Sequence, residues 1–245
     1  MNSPITYTAP DQFEQLYAQL CQKERRIYRD EEVAKFPVIS KTHLYYKEWN
    51  RKKRGLKTLT HYLKRKGDEL NILEIGCGNG WLAAQLASVT QGRVTGIDIN
   101  ETALKQAERV FCNIPNLSFI ACDLGNECLQ DNRFDIIVFA ESIEYFCSLK
   151  KILTAASAYL TLQGEIHIMD SHFYKQSEIA AANQGAMEYF RSAGIPEMAK
   201  FYFHHCADDL KRFNHFFLHN PEAWVNKLSI HKNPFYHVVI KNRYQ

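Results

Sequence analysis

Apolar positions change their spacing in a regular way between Leu70 and Asp170. Short apolar runs of strand length are followed by segments whose apolar residues recur every three or four positions, as on one face of a helix. The runs predict strands at 70–75, 93–97, 117–120, 134–139 and 164–169, and the segments between them predict helices at 81–90, 101–111 and 149–160. This alternation is typical of an α/β fold with a parallel sheet and helices on both of its faces.

The chain before this alternation has a helical pattern. An apolar stripe from Phe13 to Leu20 follows the capping candidate Asp11, and a second helical region covers about 40–66. We therefore expect a helical extension or cap over residues 1–67, followed by one main domain over 68–245.

The chain after Asp170 departs from the alternation. A predicted helix at about 177–191 leads into an aromatic, histidine-rich stretch, and a final strand at 235–240 completes the sheet. Residues 171 to about 205 are left as an insertion. Because ligands of parallel sheets bind beyond the carboxyl ends of the strands, an insertion at this place is expected to cover a substrate.

Composition narrows the class of protein further. The length of 245 residues suits one large domain, and the net charge of +3 is too small to require a polyanionic partner. The seven cysteines include no C-x-x-C pair, so we expect reduced thiols in an intracellular protein. No signal-peptide pattern and no apolar run of about 18 residues occurs, which favours a cytoplasmic protein without a membrane span.

The stretch LEIGCGNGW places three glycines directly after the first predicted strand and before a helix. Glycine lets the backbone approach a ligand closely, because it has no Cβ and adopts positive φ freely. A strand, a glycine loop and a helix in this order are typical of nucleotide binding. The spacing is G-x-G-x-G after the acid Glu74, and not the G-x-G-x-x-G of dinucleotide-binding dehydrogenases. Asp98, at the end of the second strand, stands where a ribose-binding acid is expected.

An acid followed by G-x-G-x-G resembles motif I of the class I S-adenosylmethionine-dependent methyltransferases. The resemblance continues through VTGIDIN, FIACDL and FDIIVFAESIEYF to the turn before the fifth strand, and covers roughly 40% of the chain. It implies a Rossmann-like, doubly wound, mostly parallel seven-stranded sheet whose last strand is antiparallel. The implied cofactor is S-adenosylmethionine.

The resemblance also assigns residues to the cofactor. It implies that the glycine loop, the ends of the second and third strands and the end of the fourth strand surround the cofactor, with Asp98 at the ribose and Asp123 at the adenine. The cofactor residues so implied are Glu74, Gly76, Cys77, Gly78, Asp98, Ile99, Cys122, Asp123, Leu124 and Ala140.

Candidates for chemistry on the acceptor lie where the strand ends and the insertion meet. Many small-molecule members of the family have Glu-His after the fourth strand, whereas this chain has Glu144 and Tyr145. As proton-transfer groups the sequence offers Glu141, Tyr145, His204 and His205, and as substrate contacts Asp170, His172 and Tyr174. Glu141, Asp170 and Ser171 do not match the family's metal-binding pattern, so no metal is expected.

We expect the acceptor to be a small molecule, with oxygen as the favoured atom. The basic run at 47–66 raises an RNA or protein substrate as the alternative, because clustered Lys and Arg bind phosphate. Its apolar residues give that run a buried side, which favours a solvated basic face instead. A further alternative is a module that binds the cofactor without catalysis.

Overall fold

The computed structural model describes residues 10–124, 127–129, 132–227 and 232–242. Its helices are α1 (Pro10–Lys23), α2 (Asp30–Val33), α3 (Tyr46–Leu63), α4 (Trp81–Ala87), α5 (Glu101–Phe111), α6 (Leu149–Ser157), α7 (Ile179–Ser192) and α8 (Trp224–Lys227). Its strands are β1 (Ile72–Ile75), β2 (Val94–Asp98), β3 (Leu117–Ala121), β4 (Phe134–Ala140), β5 (Leu160–Ser171), β6 (Phe173–Tyr174), β7 (His205–Cys206), β8 (His215–His219) and β9 (Tyr236–Lys241).

Seven of these strands form one sheet in the order β3-β2-β1-β4-β5-β9-β8. Strands β1 to β5 are parallel, and β9 runs antiparallel to β5 and to β8. The strand order reverses between β1 and β4, so the carboxyl ends of β1, β2 and β4 open a crevice at the switch point. The prediction of a mostly parallel, seven-stranded sheet with an antiparallel last strand is confirmed.

Two elements of the sheet differ from the sequence prediction. Strand β8 lies in the aromatic, histidine-rich stretch, which the sequence left unassigned. Its residues are mostly half-buried because it is an edge strand, so it lacks the continuous apolar run of a central strand. Strand β5 begins at Leu160 and not at 164, because Leu160 pairs with Phe134 ahead of a register shift in β4.

The two faces of the sheet carry separate apolar cores. Helix α3 supplies Leu56, Leu59 and Leu63 to one of them, where they pack with residues of β1 and β4. Burial of each such side chain stabilises the fold by about 1.5–3 kcal/mol. Helix α3 is therefore one of the helices that cover the sheet, and its position fixes the basic residues of the same helix relative to the strand ends.

A third apolar cluster joins α1 to the segment after β5. Phe13, Leu16 and Leu20 of α1 pack against Phe190 of α7 and against the turns that follow it. We call α1 together with residues 179–201 the cap. Tyr145 and Ile99 pack against the same cluster, so the cap lies over the ends of β2 and β4. No helix in the described part of the chain has the length and apolar character that a membrane crossing requires.

Candidate functional site

The glycine loop after β1 has a backbone that only glycine adopts without strain. Gly76, Gly78 and Gly80 have φ values of +76°, +52° and +73°. A Cβ on Gly76 would lie 2.6 Å from Cβ of Ser142, whereas a Cβ on Gly78 would meet no atom within 4 Å. Gly76 is therefore required by close packing, and Gly78 leaves free space at the open side of the loop.

Asp98 ties this loop to the end of β2. Its Oδ2 accepts a hydrogen bond from the backbone N–H of Gly78 at 2.7 Å, and its Oδ1 accepts one from Asn100 at 2.8 Å. Burial raises the pKa of Asp98, and these N–H donors act against that shift. A carboxylate has about four acceptor positions, so both oxygens keep capacity for the hydroxyls of a ribose. Asn100 caps α5 through Ala103, as the sequence suggested.

Glu74 is the second carboxyl group beside the loop. It is 3% exposed, and its Oε2 has no hydrogen-bond partner among the described residues. Burial raises the pKa of this carboxyl well above its ordinary value. Because buried polar atoms in proteins are nearly always paired, the free oxygen indicates a donor that a ligand supplies. The ammonium group of a cofactor's amino-acid part fits this requirement.

The loop, the end of β2 and the start of the turn after β4 line a pocket that is partly open to solvent and has an empty volume of about 750 Å³, which we call the cofactor compartment. The predicted cofactor residues that line it are Gly76, Gly78, Asp98, Ile99, Cys122, Asp123 and Leu124. Glu74, Cys77 and Ala140 line a groove that opens beside it. The structure thus brings the predicted residues of four strand ends to one place. Phe13, Glu14 and Tyr17 of α1 complete the wall. The sequence predicted a helical cap here but did not single out these residues, because a helical stripe resembles ordinary core.

Cys122, one of the predicted cofactor residues, is buried and lines the cofactor compartment. It lies beside Cys128, with the two Cα atoms 6.3 Å apart. Reduced thiols remain the prediction for the cysteines of this chain.

A larger pocket of about 1460 Å³ adjoins the first, and we call it the acceptor compartment. Tyr17, Glu141 and Tyr145 line both compartments. The rings of Tyr17 and Tyr145 are nearly perpendicular, with centroids 5.6 Å apart, and stand at the boundary. Asp170, Tyr174 and His204 line the acceptor compartment, as does the cap.

Glu141 directly follows β4 and has a φ value of +52°. Asp170 is the residue before the last in β5 and has a φ value of +56°. Such backbone costs a non-glycine residue about 1–3 kcal/mol and is found most often at functional sites. Arg51 Nη2 lies 3.1 Å from Glu141 Oε1, and Lys52 Nζ lies 2.7 Å from Glu141 Oε2. Burial and then Glu141 raise the pKa of Asp170 to about 6, against the effect of Arg51.

These contacts change the interpretation of the basic run. Its apolar residues are buried or half-buried. Lys52, however, is only 8% exposed, and Arg51 also faces the strand ends. The expectation of a wholly solvated basic face is therefore wrong for these two residues. Their charges are used inside the protein, in ion pairs with Glu141 and Glu48.

Two predicted site residues lie outside both compartments. His205 is 6% exposed, and its Nε2 donates to the carbonyl oxygen of Ile143 at 2.9 Å. His172 lines a separate groove near Pro234, and its ring is nearly perpendicular to that of Tyr174, with the centroids 5.1 Å apart. A proton-transfer role for His205 and a substrate contact by His172 are not supported by these positions, because neither ring reaches the acceptor compartment.

One residue at the site was missed. Glu144 follows β4 in a short 3-10 turn, is 9% exposed and lines the acceptor compartment. Burial raises its pKa to about 7. The sequence feature that could have identified Glu144 is its position beside Tyr145, where many members of the family have Glu-His. The sequence alone did not show that its carboxyl group turns inward. Within the described residues no group of His, Cys, Asp and Glu is arranged to hold a metal ion.

Comparison with known proteins agrees with this geometry. A family model described as "Methyltransferase domain" matches residues 66–229. A demethylmenaquinone methyltransferase of Symbiobacterium thermophilum is 32% identical over 114 residues, which are 44% of this chain and 43% of that protein. A malonyl-[acyl-carrier protein] O-methyltransferase of Bacillus cereus is 24% identical over 143 residues, 57% of this chain and 52% of that protein. The chain spans about half the length of these relatives, or less.

Solved structures with the same fold include two methyltransferases with bound SAH. The magnesium protoporphyrin IX methyltransferase of Synechocystis PCC 6803 has a TM-score of 0.58 at 13% identity, over 90% of this chain and 93% of that one. The plantazolicin methyltransferase BpumL has a TM-score of 0.56 at 16% identity, over 96% of this chain and 100% of that one. With the family match over residues 66–229, the chain belongs to the methyltransferase domain family, in its class I S-adenosylmethionine-dependent group.

Proposed function

We propose that this protein transfers a methyl group from S-adenosylmethionine to a small molecule. One observation carries the proposal: two compartments meet at Tyr17, Glu141 and Tyr145. The first has the glycine loop and two acidic residues, Asp98 and Asp123, that fit the cofactor, and the second is a pocket beside it. A donor and an acceptor bound in the two compartments would have their reacting groups side by side.

The chain's own residues bind and align the two reactants. Asp98 is suited to the ribose hydroxyls, and Glu74 to the ammonium group of the amino-acid part. The bound cofactor supplies a methyl group that is already activated by a positive sulfur, so positioning is the main contribution left to the protein. Alignment of two reactants is worth up to about 7–11 kcal/mol of the barrier.

The cap supports a small acceptor over a macromolecule. Helix α1 and residues 179–201 pack together over the strand ends, so a substrate has to enter a covered space. The basic residues that suggested RNA as an alternative substrate do not all face outward, because Arg51 and Lys52 form ion pairs with Glu141. RNA and protein substrates remain as outcomes of the test. The oxygen acceptor expected from the sequence is taken up in the next subsection, because the charges of the acceptor compartment bear on it.

The test has two parts. Calorimetry should show binding of S-adenosylmethionine and SAH and no binding of NAD; tight NAD binding alone would overturn the proposal. Cell extract incubated with methyl-labelled cofactor and the protein should then yield label in the small-molecule fraction, with the Asp98→Ala variant as control. Label confined to RNA or protein would reassign the substrate, and cofactor binding without any label would favour a non-catalytic module.

A further inference from the structure

The acceptor compartment is acidic. Its described lining includes five carboxylates, of Glu24, Glu48, Glu141, Glu144 and Asp170, and two guanidinium groups, of Arg26 and Arg51. Lys52 adds a third cation through its contacts with Glu48 and Glu141. The compartment therefore has more negative than positive groups, in a covered space where charges are screened less than in water.

Ion pairs account for four of these carboxylates. Arg26 lies 2.7 Å from Glu24 and 2.8 Å from Glu48, and Arg51 lies 3.1 Å from Glu141 and 3.7 Å from Asp170. Glu144 differs, because its carboxyl group forms no ion pair with any residue that the structure describes. The hydroxyl of Ser171 and backbone N–H groups support its ionised form, while burial and the charge of Glu141 oppose it. An ammonium group of a bound molecule is a partner that would complete an ion pair here.

Aromatic rings form an arc beside this carboxyl group. The rings of Tyr145 and Tyr202 have centroids 5.8 Å apart, those of Tyr202 and His204 are 5.3 Å apart, and those of His204 and Tyr174 are 5.1 Å apart. Each pair is close to perpendicular, at 73° to 78°. Glu144 lines the acceptor compartment together with these four rings, and its carbonyl oxygen accepts a hydrogen bond from the backbone N–H of Phe203 at 2.7 Å, so Glu144 lies beside the arc.

A carboxylate without a cation, surrounded by aromatic rings, is the arrangement that binds ammonium groups. An ammonium would pair with Glu144 and contact the negative faces of the rings. A neutral alcohol forms no ion pair with Glu144, whereas an ammonium pairs with the carboxylate and supports its ionised form. The compartment therefore distinguishes an amine from an alcohol of the same shape by charge, independently of size.

We propose that the acceptor is a small molecule with a primary or secondary amine, held by Glu144 and the Tyr145–Tyr202–His204–Tyr174 arc and methylated on nitrogen. The proposal rests on the proposed function and replaces the oxygen acceptor expected from the sequence. The bound ammonium gives one proton to Glu144, which frees the lone pair of nitrogen. Nitrogen forms the new bond to the methyl carbon as the carbon–sulfur bond breaks, its electron pair stays on sulfur, and the product leaves as an ammonium.

Equilibrium binding to the protein loaded with SAH tests the acceptor class without turnover. The probes are tyramine and tryptamine against the matched alcohols tyrosol and tryptophol, measured by calorimetry at pH 7.5. We expect each amine to bind at least tenfold tighter than its alcohol. Equal affinity, tighter binding of the alcohols, or no binding of either amine would overturn the proposal.

Two variants connect that preference to the named groups. Glu144→Gln should remove most of the tenfold difference, while Glu188→Gln, an exposed carboxyl on α7, should keep it. Tyr174→Phe, which keeps the ring, should keep the preference, and Tyr174→Leu should reduce it several-fold. SAH affinity within twofold of wild type shows that each variant is folded.

SAH binding distinguishes a failure of the amine site from a failure of the proposed methyltransferase function. SAH binding with an unchanged preference in Glu144→Gln would refute the amine site and leave the methyltransferase proposal intact. Absence of SAH and S-adenosylmethionine binding would refute the proposed function itself.

Discussion

The ammonium group of Lys52 lies 2.7 Å from Oε2 of Glu141, at the carboxyl end of β4. A residue of the basic helix α3 thereby supports the residue at the boundary of the two compartments. Lys52 is almost fully buried, and its other partner, Glu48, lies 3.1 Å away. The pair therefore connects the stability of α3 to the shape of the site.

Removal of this cation should destabilise the protein. Lys52→Met leaves Glu141 and Glu48 without one of their partners, and we expect the free energy of unfolding to fall by about 2 kcal/mol. This is less than the 3–5 kcal/mol of a fully buried pair, because the Glu141 side chain is 35% exposed. Urea unfolding measures the change. The exposed neighbour Lys53→Met is the control and should stay within about 0.5 kcal/mol of wild type; equal losses in both variants would contradict the role of Lys52.

Asp98→Ala should weaken cofactor binding and also loosen the glycine loop. Loss of hydrogen bonds to a charged group predicts a decrease of about 1.5–3 kcal/mol in SAH binding free energy, measured by calorimetry. Because Gly78 and Asn100 lose their acceptor, we also expect a lower melting temperature, which the sequence alone did not suggest. Glu101→Gln, on the exposed first turn of α5, should change neither quantity. SAH affinity equal to wild type in folded Asp98→Ala would remove Asp98 from the site.

The two adjacent histidines should respond differently to substitution. His205→Ala removes a buried ring and its bond to Ile143, so unfolding should become easier by about 1–3 kcal/mol while SAH affinity persists. His204→Ala removes one ring of the arc and a contact to Asn183. Its stability should change little, and affinity of the SAH-loaded protein for tyramine should fall several-fold. The reverse pattern, with tyramine binding lost only in His205→Ala, would contradict the placement of these residues.

His167 and His237 should make stability depend on pH. Their rings are buried, with Nδ1 of His167 3.1 Å from Nε2 of His237. Burial lowers the pKa of both histidines. Glu165 opposes the shift of His167, and Lys66 adds to it. His167 and then His219 lower the pKa of His237 further. In the acidic range the unfolded chain therefore binds more protons than the native one.

The protein therefore has the full stability that comes from keeping these two histidines uncharged above pH 6.5, the ordinary pKa of histidine. This stability is lost as the pH falls below that value. In urea unfolding at a series of pH values, His237→Gln should flatten the dependence below about pH 6.5, relative to wild type. The exposed His61→Gln should leave the slope as it was. A slope unchanged in His237→Gln would show that other groups cause the dependence.

The sequence by itself determined the sheet and the cofactor side of the site. The apolar runs predict the parallel strands. Local patterns at the strand ends identify the candidate cofactor residues Gly76, Gly78, Asp98 and Asp123. Such patterns are readable because each depends on neighbours along the chain: a glycine for positive φ, or an acid directly after a strand.

Only the tertiary structure decided the acceptor side. Whether Lys52 faces water or Glu141, whether Glu144 turns inward, and which of His204 and His205 reaches the compartment depend on contacts between residues far apart in sequence. Tyr17 could not be distinguished from core by its helical spacing, because the same amphipathic stripe serves a buried face and a pocket wall. Charge pairing and burial are set by packing of α1, α3 and the cap on the strand ends, and no local pattern encodes that packing.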